Sequence, residues 1–547
     1  MGLGWRFKLG EGKSGGCRVA CSGVSCFGLD CADAPSCRRR IFMDSQKDLN
    51  PFPDVEQHTP LALLTCEQMR RAEELTFRAD GKSMWDLMLR AGQAVAHAVK
   101  ERYMPCRVLV LCGTGNNGGD GYVAAHTLRQ LGWPVTLCAL GPATAPEAKQ
   151  AAVLWAAAPC SFSPDFLQEA DVVIDALFGT GLTRNLEGEV AQIVQKVTAS
   201  KLPVVAADMP SGINGDTGAV MGCAIPAEFS VTFGWKKRGH VLLPGKDYCG
   251  TVVVADTGMN AQALKEVGPS TFENDETLWL PYFPVYQPRE NKYHHGHLLV
   301  FGGRELTGAA RLAARAGQRI AAGLVTVTCP SEVWPIYATS LEGIMVTKAD
   351  NLQKQKEIME HPKISALAMG MGLGLEDVLA GRRLVLEALA TKKPMVLDAD
   401  AMTYFKDNPH ELFESLHENC VLTPHEGEFS RLFSRDVDMT RDKVTRASES
   451  AQKAGCIVVL KGSDTVISAP NGQNIVNSGA PPWLAKAGSG DVLSGMIAGL
   501  LTSGMPTFAA ACAGVAIHSM VAHRLGAGLI PSDLVNAIPA VLQEKTA

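Results

Sequence analysis

Short β-branched runs alternate with amphipathic stretches through most of this 547-residue chain, and nothing else in it restricts the fold as much. The first series of runs is Arg107–Cys112, Val135–Leu140, Asp171–Ala176, Pro203–Asp208, Ser230–Phe233 and Thr251–Ala255, with helical patterns at Tyr122–Leu131 and Glu187–Ser200. Alternation of this kind predicts a mostly parallel sheet with helices on both faces. The pattern lapses across residues 261–290, which carry Pro269, Pro281, Pro284 and Pro288 and read as a linker. A second series follows at His297–Phe301, Val325–Cys329, Ile364–Met369, Pro394–Leu397, Cys420–Leu422 and Ile457–Leu460. The expected fold class is therefore α/β with two domains, at 60–260 and 291–547. Their motifs do not repeat each other, which marks a fusion of different modules.

Composition excludes several classes. The chain is 46% hydrophobic with a net charge of -5, so it is not disordered on a large scale and has no basic excess to hold nucleic acid. Sixteen cysteines without a C-x-x-C pair, several of them in apolar runs such as Cys112, Cys138, Cys329 and Cys456, fit free thiols in a reducing cytoplasm better than a disulfide scaffold. The apolar stretch Val492–Leu525 is broken at Thr502-Ser503-Gly504 and Pro506, so we expect two buried helices rather than a membrane span. Residues 1–42 hold five cysteines, Arg38-Arg39-Arg40 and no periodicity. They read as a disordered arm, either a tail or an untranslated stretch upstream of a start at Met43.

After the strand ending at Cys112 comes Gly113-Thr114-Gly115-Asn116-Asn117-Gly118-Gly119-Asp120-Gly121, a G-x-G-x-x-G turn leading into a helix. No acidic residue occurs between Gly121 and Pro146, where a dinucleotide-binding dehydrogenase needs one for the ribose, so a redox role is doubtful. Asp175 and Asp208 each close a strand, and Asp175 with Asn117 and Ser211 makes an all-oxygen set for a hard cation. Singly each aspartate reads as a turn or capping residue; with the glycine loop they read as a site.

These segments resemble the NAD(P)H-hydrate epimerase domain from about Leu64 to Gly258, through Asn116–Asp120, Asp175–Gly181, Asp208-Met209-Pro210-Ser211-Gly212, Lys237–His240 and Leu243-Pro244-Gly245. The resemblance implies a Rossmann-like three-layer α/β fold that interconverts the R and S hydrates. It implies Asp208 as the proton-exchanging group and K+ on Asn117, Asp175 and Ser211. It implies substrate contacts from Asn116, Asn117, Gly118, Gly119, Asp120, Gly179, Thr180, Gly181, Leu182, Thr183, Arg184, Asn185 and Asp208.

In the second half, Ala487-Gly488-Ser489-Gly490-Asp491 opens an apolar helix, presenting backbone N–H groups to phosphate charge and one carboxylate to a hydroxyl. A plain turn with Asp491 as a cap is the simpler alternative. It is not a Walker A loop, having no Gly-Lys-Ser or Gly-Lys-Thr. Lys461-Gly462-Ser463-Asp464-Thr465 is a donor-rich turn between strands. These segments, with Gly302-Gly303, Thr307–Ala310, Gly323–Val327, Gly370–Gly374, Leu397–Ala401 and Pro424–Glu428, resemble the ribokinase-like fold and, more closely, the NAD(P)H-hydrate dehydratase, over about Lys292–Leu542.

That resemblance implies a hydrate site at Ala309, Gly372, His425 and Asp491, with Asp491 as base, and a nucleotide site at Lys461, Gly462, Ser463, Asp464, Thr465 and Gly490. Fused members of this type use ADP, so ADP with Mg2+ is expected, giving AMP and phosphate. The expected partners are NADHX, NADPHX and ADP, in a cytoplasmic homo-oligomer that binds neither nucleic acid nor membrane. The competing reading is a kinase of a vitamin-type alcohol fused to a non-catalytic Rossmann-like binding module.

Overall fold

The structure, a computed structural model, describes residues 59–81 and 83–546; the arm at 1–42 and the start at Met43 lie outside the described residues. A short strand, β1 (Leu63–Leu64), runs parallel to β7 (Lys236–Lys237), with Leu64 opposite Lys237. Between and after them β2 (Val108–Cys112), β3 (Val135–Ala139), β4 (Val172–Ala176), β5 (Val204–Ala207), β6 (Phe229–Phe233) and β8 (Thr251–Ala255) form a six-stranded sheet in the order β3-β2-β4-β5-β6-β8. Every pair in it is parallel. β2 reads Val-Leu-Val-Leu-Cys and is buried throughout, as a strand covered on both faces must be. While α1 (Cys66–Asp80) buries Met69 and Ala72 in the core of the second sheet, the covering helices include α2 (Met84–Arg102), α3 (Asn116–Gln130) and α4 (Gly188–Ser200). Capping boxes, Thr65 with Gln68 and Ser83 with Asp86, start α1 and α2.

The second sheet has ten strands: β9 (Thr271–Glu273), β10 (His297–Phe301), β11 (Leu324–Cys329), β12 (Met345–Lys348), β13 (Ala366–Met369), β14 (Met395–Leu397), β15 (Cys420–Leu422), β16 (Ile457–Leu460), β17 (Thr465–Ser468) and β18 (Asn474–Asn477). Their order is β12-β11-β10-β13-β14-β15-β16-β17-β18-β9, parallel except at the β16-β17-β18 meander. This corrects the linker expected at 261–290. β9 lies inside it and pairs with β18, while Phe272, Leu278 and Trp279 are buried in the same apolar core as Leu298 and Val300. Prolines made the stretch look loose, but its few large apolar residues decide where it goes.

Small residues let α7 (Ser489–Thr502) lie directly on α5 (Thr307–Ile320), α6 being Glu426–Phe433. A methyl at Gly495 would sit 2.2 Å from the Ala313 carbonyl oxygen, and one at Gly499 2.5 Å from that of Gly317. Gly495→Val should therefore cost about 2–3 kcal/mol by overpacking, read as a lower denaturation midpoint of the C-terminal domain. The 492–525 stretch is indeed two helices, α7 and α8 (Thr507–Leu525). α8 is long and apolar enough to cross a membrane, yet 78% of its most apolar window is buried inside the protein.

Among the described residues five non-glycines have positive φ. Ala156, Lys201 and Lys392 lie just past helix ends, where that conformation is ordinary. Asp208 (φ 65°) and Ala399 (φ 43°) instead follow β5 and β14, and such strain collects where a site requires it.

Candidate active sites

In the first sheet β2 has β3 on one side and β4 on the other, so the chain winds outward from it in both directions and opens a crevice at the strands' carboxyl ends. Three motifs meet there. A methyl at Gly179, after β4, would lie 2.9 Å from Asn117 Oδ1 and 3.3 Å from Asp208 Oδ2, so the glycine backs onto both. Asp208 is buried, and its Oδ1 accepts from Lys237 Nζ at 2.6 Å and Thr232 Oγ1 at 2.9 Å. Burial alone would raise its carboxyl, but Lys237, His240 and these hydrogen bonds outweigh burial and hold it below the ordinary carboxylate range. His240 is pushed down to about 4, by burial and then by Lys237, so its ring is neutral. Its Nδ1 accepts from Lys237 N–H at 2.9 Å, which leaves Nε2 to donate to the Asp208 carbonyl at 2.8 Å.

Asp120, from α3, is also buried, and burial followed by the charges of Asp208 and Glu73 raises its carboxyl well above the usual range. The crevice thus holds a carboxylate and a neutral carboxylic acid, the pairing that proton transfer needs. Deeper in, Asp175 Oδ1 accepts from Ser211 Oγ at 2.6 Å and its Oδ2 from Ser211 N–H at 2.7 Å. Asp175 is pushed up to about 6 by burial, and no cationic side chain among the described residues acts on it. Asn117 Nδ2 is buried with no partner among them.

The other expected contacts divide by exposure. Asn116, Gly181, Thr183, Arg184 and Asn185 are exposed on the rim, with Thr180 half-buried beside them, while Gly118 and Gly119 are buried. Leu182 packs into the apolar cluster of Leu186 and Ile193, so only its backbone faces outward.

The second crevice gathers the loops that follow β10, β13, β14, β15 and β16. A methyl at Gly303 would lie 1.9 Å from Gly372 O, and one at Gly372 3.2 Å from Ala309 Cβ, so the expected hydrate contacts Ala309 and Gly372 adjoin. Lys461 Nζ lies 2.9 Å from Asp398 Oδ1 and 3.9 Å from Glu428 Oε2, and Ser494 Oγ donates to Asp398 Oδ2 at 2.7 Å. Burial opposes the Lys461 charge, but Asp398 and Glu428 more than restore it and raise its ammonium above the usual range. A methyl at Gly490 would sit 3.4 Å from Lys461 Nζ, so this ammonium faces the glycine turn that starts α7. Asp491, half-buried in that turn, is raised to about 7 by burial and then by Asp398, with Lys461 opposing.

His425 is exposed and caps α6, its Nδ1 accepting from Gly427 N–H at 3.0 Å. Gly462 and Ser463 are exposed, and Thr465 Oγ1 donates back to Gly462 O at 2.7 Å. Asp464 turns away from solvent. It accepts from Lys443 Nζ at 2.6 Å and from the Leu243 N–H of the first domain at 3.0 Å, so its carboxylate is a tie between domains. Lys486 is exposed.

Sequence reasoning gave no role to Lys237, Asp398 or Glu428. Asp398 had a usable signal, an aspartate directly after an apolar strand. Lys237 lay in the Lys237–His240 segment of the resemblance, but that segment does not tell which of two adjacent lysines turns inward.

Two sheets, each with titratable groups at a switch-point crevice, define a two-centre α/β enzyme with a Rossmann-like and a ribokinase-like domain. Residues 297–540 match the family described as NAD(P)H-hydrate dehydratase, and residues 85–239 match that described as YjeF-related protein N-terminus. The chain is 34% identical to the bifunctional NAD(P)H-hydrate repair enzyme Nnr of Coxiella burnetii, over 85% of this chain and 96% of that one. It is 32% identical to the Escherichia coli enzyme of the same name, over 88% and 94%. Half of the chain (50%) aligns with 98% of an ADP/ATP-dependent NAD(P)H-hydrate dehydratase from Bacillus subtilis co-crystallized with ATP/Mg2+, at 25% identity and a TM-score of 0.43. The chain belongs to the family of bifunctional NAD(P)H-hydrate repair enzymes.

Proposed function

We propose that the first crevice interconverts the R and S hydrates of NADH and NADPH, and that the second dehydrates the S form with ADP, releasing AMP and phosphate. The observation that carries this reading is the split protonation of the carboxyl groups: Asp208 held ionised by Lys237, Asp491 poised near neutrality by burial. Asp208 can then exchange a proton with the C6 hydroxyl of the hydrate, in a pocket bounded by Asn117 and Gly179. In the second crevice Asp491 takes the proton of that hydroxyl, whose oxygen attacks the terminal phosphorus of ADP as the bond to AMP breaks. Lys461 and the N–H groups at the start of α7 offset the charge that develops. Phosphate then leaves C6 with loss of a C5 proton, restoring the dihydronicotinamide.

Asn117, Asp175 and Ser211 suit a monovalent cation, since Asp175 is a buried carboxylate without a counter-charge among the described residues. K+ bound there would supply that charge beside the loop that carries Asp208. No cluster of three or more His, Cys, Asp or Glu able to hold a metal occurs among the described residues, so Mg2+ would be carried on the nucleotide phosphates, next to Asp398 and Asp491.

Incubating the protein with mixed hydrates, ADP, K+ and Mg2+ should recover the full dihydronicotinamide absorbance. Recovery stopping at the S fraction would refute the epimerase assignment. A stable phosphorylated product would instead favour the vitamin-alcohol kinase. The pH profile is a separate check. A base must be ionised to act, so kcat/KM for dehydration should rise with pH through about 7, the value set by the burial of Asp491 and by Asp398.

A further inference from the structure

The charge of Lys237 acts on three carboxyl groups: Asp208 after β5, which it pairs with, and Asp120 from α3 and Glu73 from α1. Glu73 lies before the segment matched to the N-terminal family, 85–239, and the proposed function gives it no task. Its helix is held in place on several sides. β1, which leads into it, sets Leu64 opposite Lys237; Cys66 N–H donates to Asp216 Oδ1 at 2.6 Å; and Thr76 Oγ1 accepts from Asn260 N–H at 3.2 Å. Met69, Ala72 and Thr76 are buried, and Glu73, at i+4 from Met69 and i−3 from Thr76, shares their face. Met69 reaches the Gly234 turn just before Lys237.

The charged groups acting on Glu73 are Lys237 and Asp208 across the crevice and Glu74 and Arg70 on its own helix; Asp120 meets it from α3. Among the described residues neither a hydrogen bond nor an ion pair holds the Glu73 or Asp120 carboxyl, although Asp120 is only 8% exposed. A buried and a partly buried carboxyl left unpaired at a charged centre are groups kept for something that binds there.

We propose that Glu73 is the proton donor of the epimerase centre, acting opposite Asp208 on the C6 hydroxyl; this rests on the reading of that crevice given above. Glu73 gives its proton to the hydroxyl oxygen, the C6–O bond breaks, and the ring N1 lone pair forms the C6=N1 bond as water departs. Water adds to the opposite face of C6, the π electrons return to N1, and the surplus proton passes to the Asp208 carboxylate. Exchange of one proton with solvent then restores both groups, and the reverse reaction uses them in exchanged roles. Glu73 suits the donor's part better than Asp120. Burial, with Asp208 opposing Lys237, brings Glu73 to about 7, and its partial exposure lets it regain a proton from water. Asp120 is held so far up that its proton is a poor one to give.

The test follows R-to-S conversion by chromatographic separation of the epimers in wild type, Glu73→Gln and Glu73→Asp. Wild-type kcat should fall as pH rises through about 7, as a donor that must be protonated requires. Glu73→Gln should lower kcat by about 100-fold or more at unchanged KM and lose that basic limb, while Glu73→Asp keeps the limb at intermediate activity. Wild-type kcat in Glu73→Gln, a raised KM alone, or a basic limb surviving in Glu73→Gln would each overturn the proposal. Dehydration of pure S hydrate by the same preparations reports that the variants are folded. If wild type itself fails to interconvert the epimers, it is the underlying epimerase reading that falls.

Discussion

Asp491→Asn should lose dehydration by roughly 10²–10⁴-fold, the usual worth of a positioned general base, while R-to-S conversion proceeds at the wild-type rate. The asymmetry follows from geometry. Asp491 starts α7 beside Lys461 and Asp398, in a crevice built on the second sheet, and none of the groups acting on it belongs to the first. Asparagine keeps its shape and its hydrogen-bonding reach but cannot accept the hydroxyl proton. The substitution also removes a carboxylate held partly protonated by burial, so the glycine turn should remain folded and nucleotide should still bind. Single-turnover assays with S hydrate and ADP separate the two effects; dehydration at the wild-type rate would remove Asp491 from the role of base.

Asp208→Asn should abolish epimerisation and also weaken the first domain. Lys237 is 1% exposed, and Asp208→Asn removes the carboxylate of its buried ion pair, a loss on the order of 3–5 kcal/mol. Lys237→Met separates chemistry from stability. It leaves Asp208 buried without its cation, so the carboxyl rises out of its depressed range, and the base is ionised only at higher pH. Epimerisation by Lys237→Met should therefore be poorest on the acid side, where wild type is still active, with its acid limb moved to higher pH. A profile identical to wild type would show that the ion pair does not set the protonation of Asp208.

The parts of these sites legible in sequence were those carried by a single strand and the loop after it. Asp175, Asp208 and Asn117 each close or follow an apolar run, and a parallel sheet brings all such ends to one edge whatever the details of packing; the Gly488–Asp491 turn was legible because it opens an apolar helix. Residues supplied from a distance were not legible. Lys237 turns inward because β1, some 170 residues earlier, pairs with its strand. Glu73 faces the crevice only because β1 also delivers α1. Asp464 looked like part of a phosphate turn, yet its carboxylate is taken by Lys443 and by a backbone N–H of the other domain. The reading of 261–290 as a linker failed for a related reason. Proline content speaks for local backbone stiffness, whereas β9 is held by Phe272 and by a partner strand that no local pattern could reveal.

The placement of β9 also bears on how the chain comes to be folded as it is made. Thr271 leaves the ribosome 203 residues ahead of Asn474, its partner across the far edge of the second sheet. At about 5–20 residues per second, β9 waits roughly 10–40 seconds for β18. Throughout that time the first domain has everything it needs to close its own sheet, while the second has none of the meander on which β9 must dock. The outermost strand of the second domain is thus the first of its strands to be synthesised; Phe272 can bridge to Ala62 at once, but its place in the ten-stranded sheet opens only when β18 emerges, so that domain can be completed only when nearly the whole polypeptide is out.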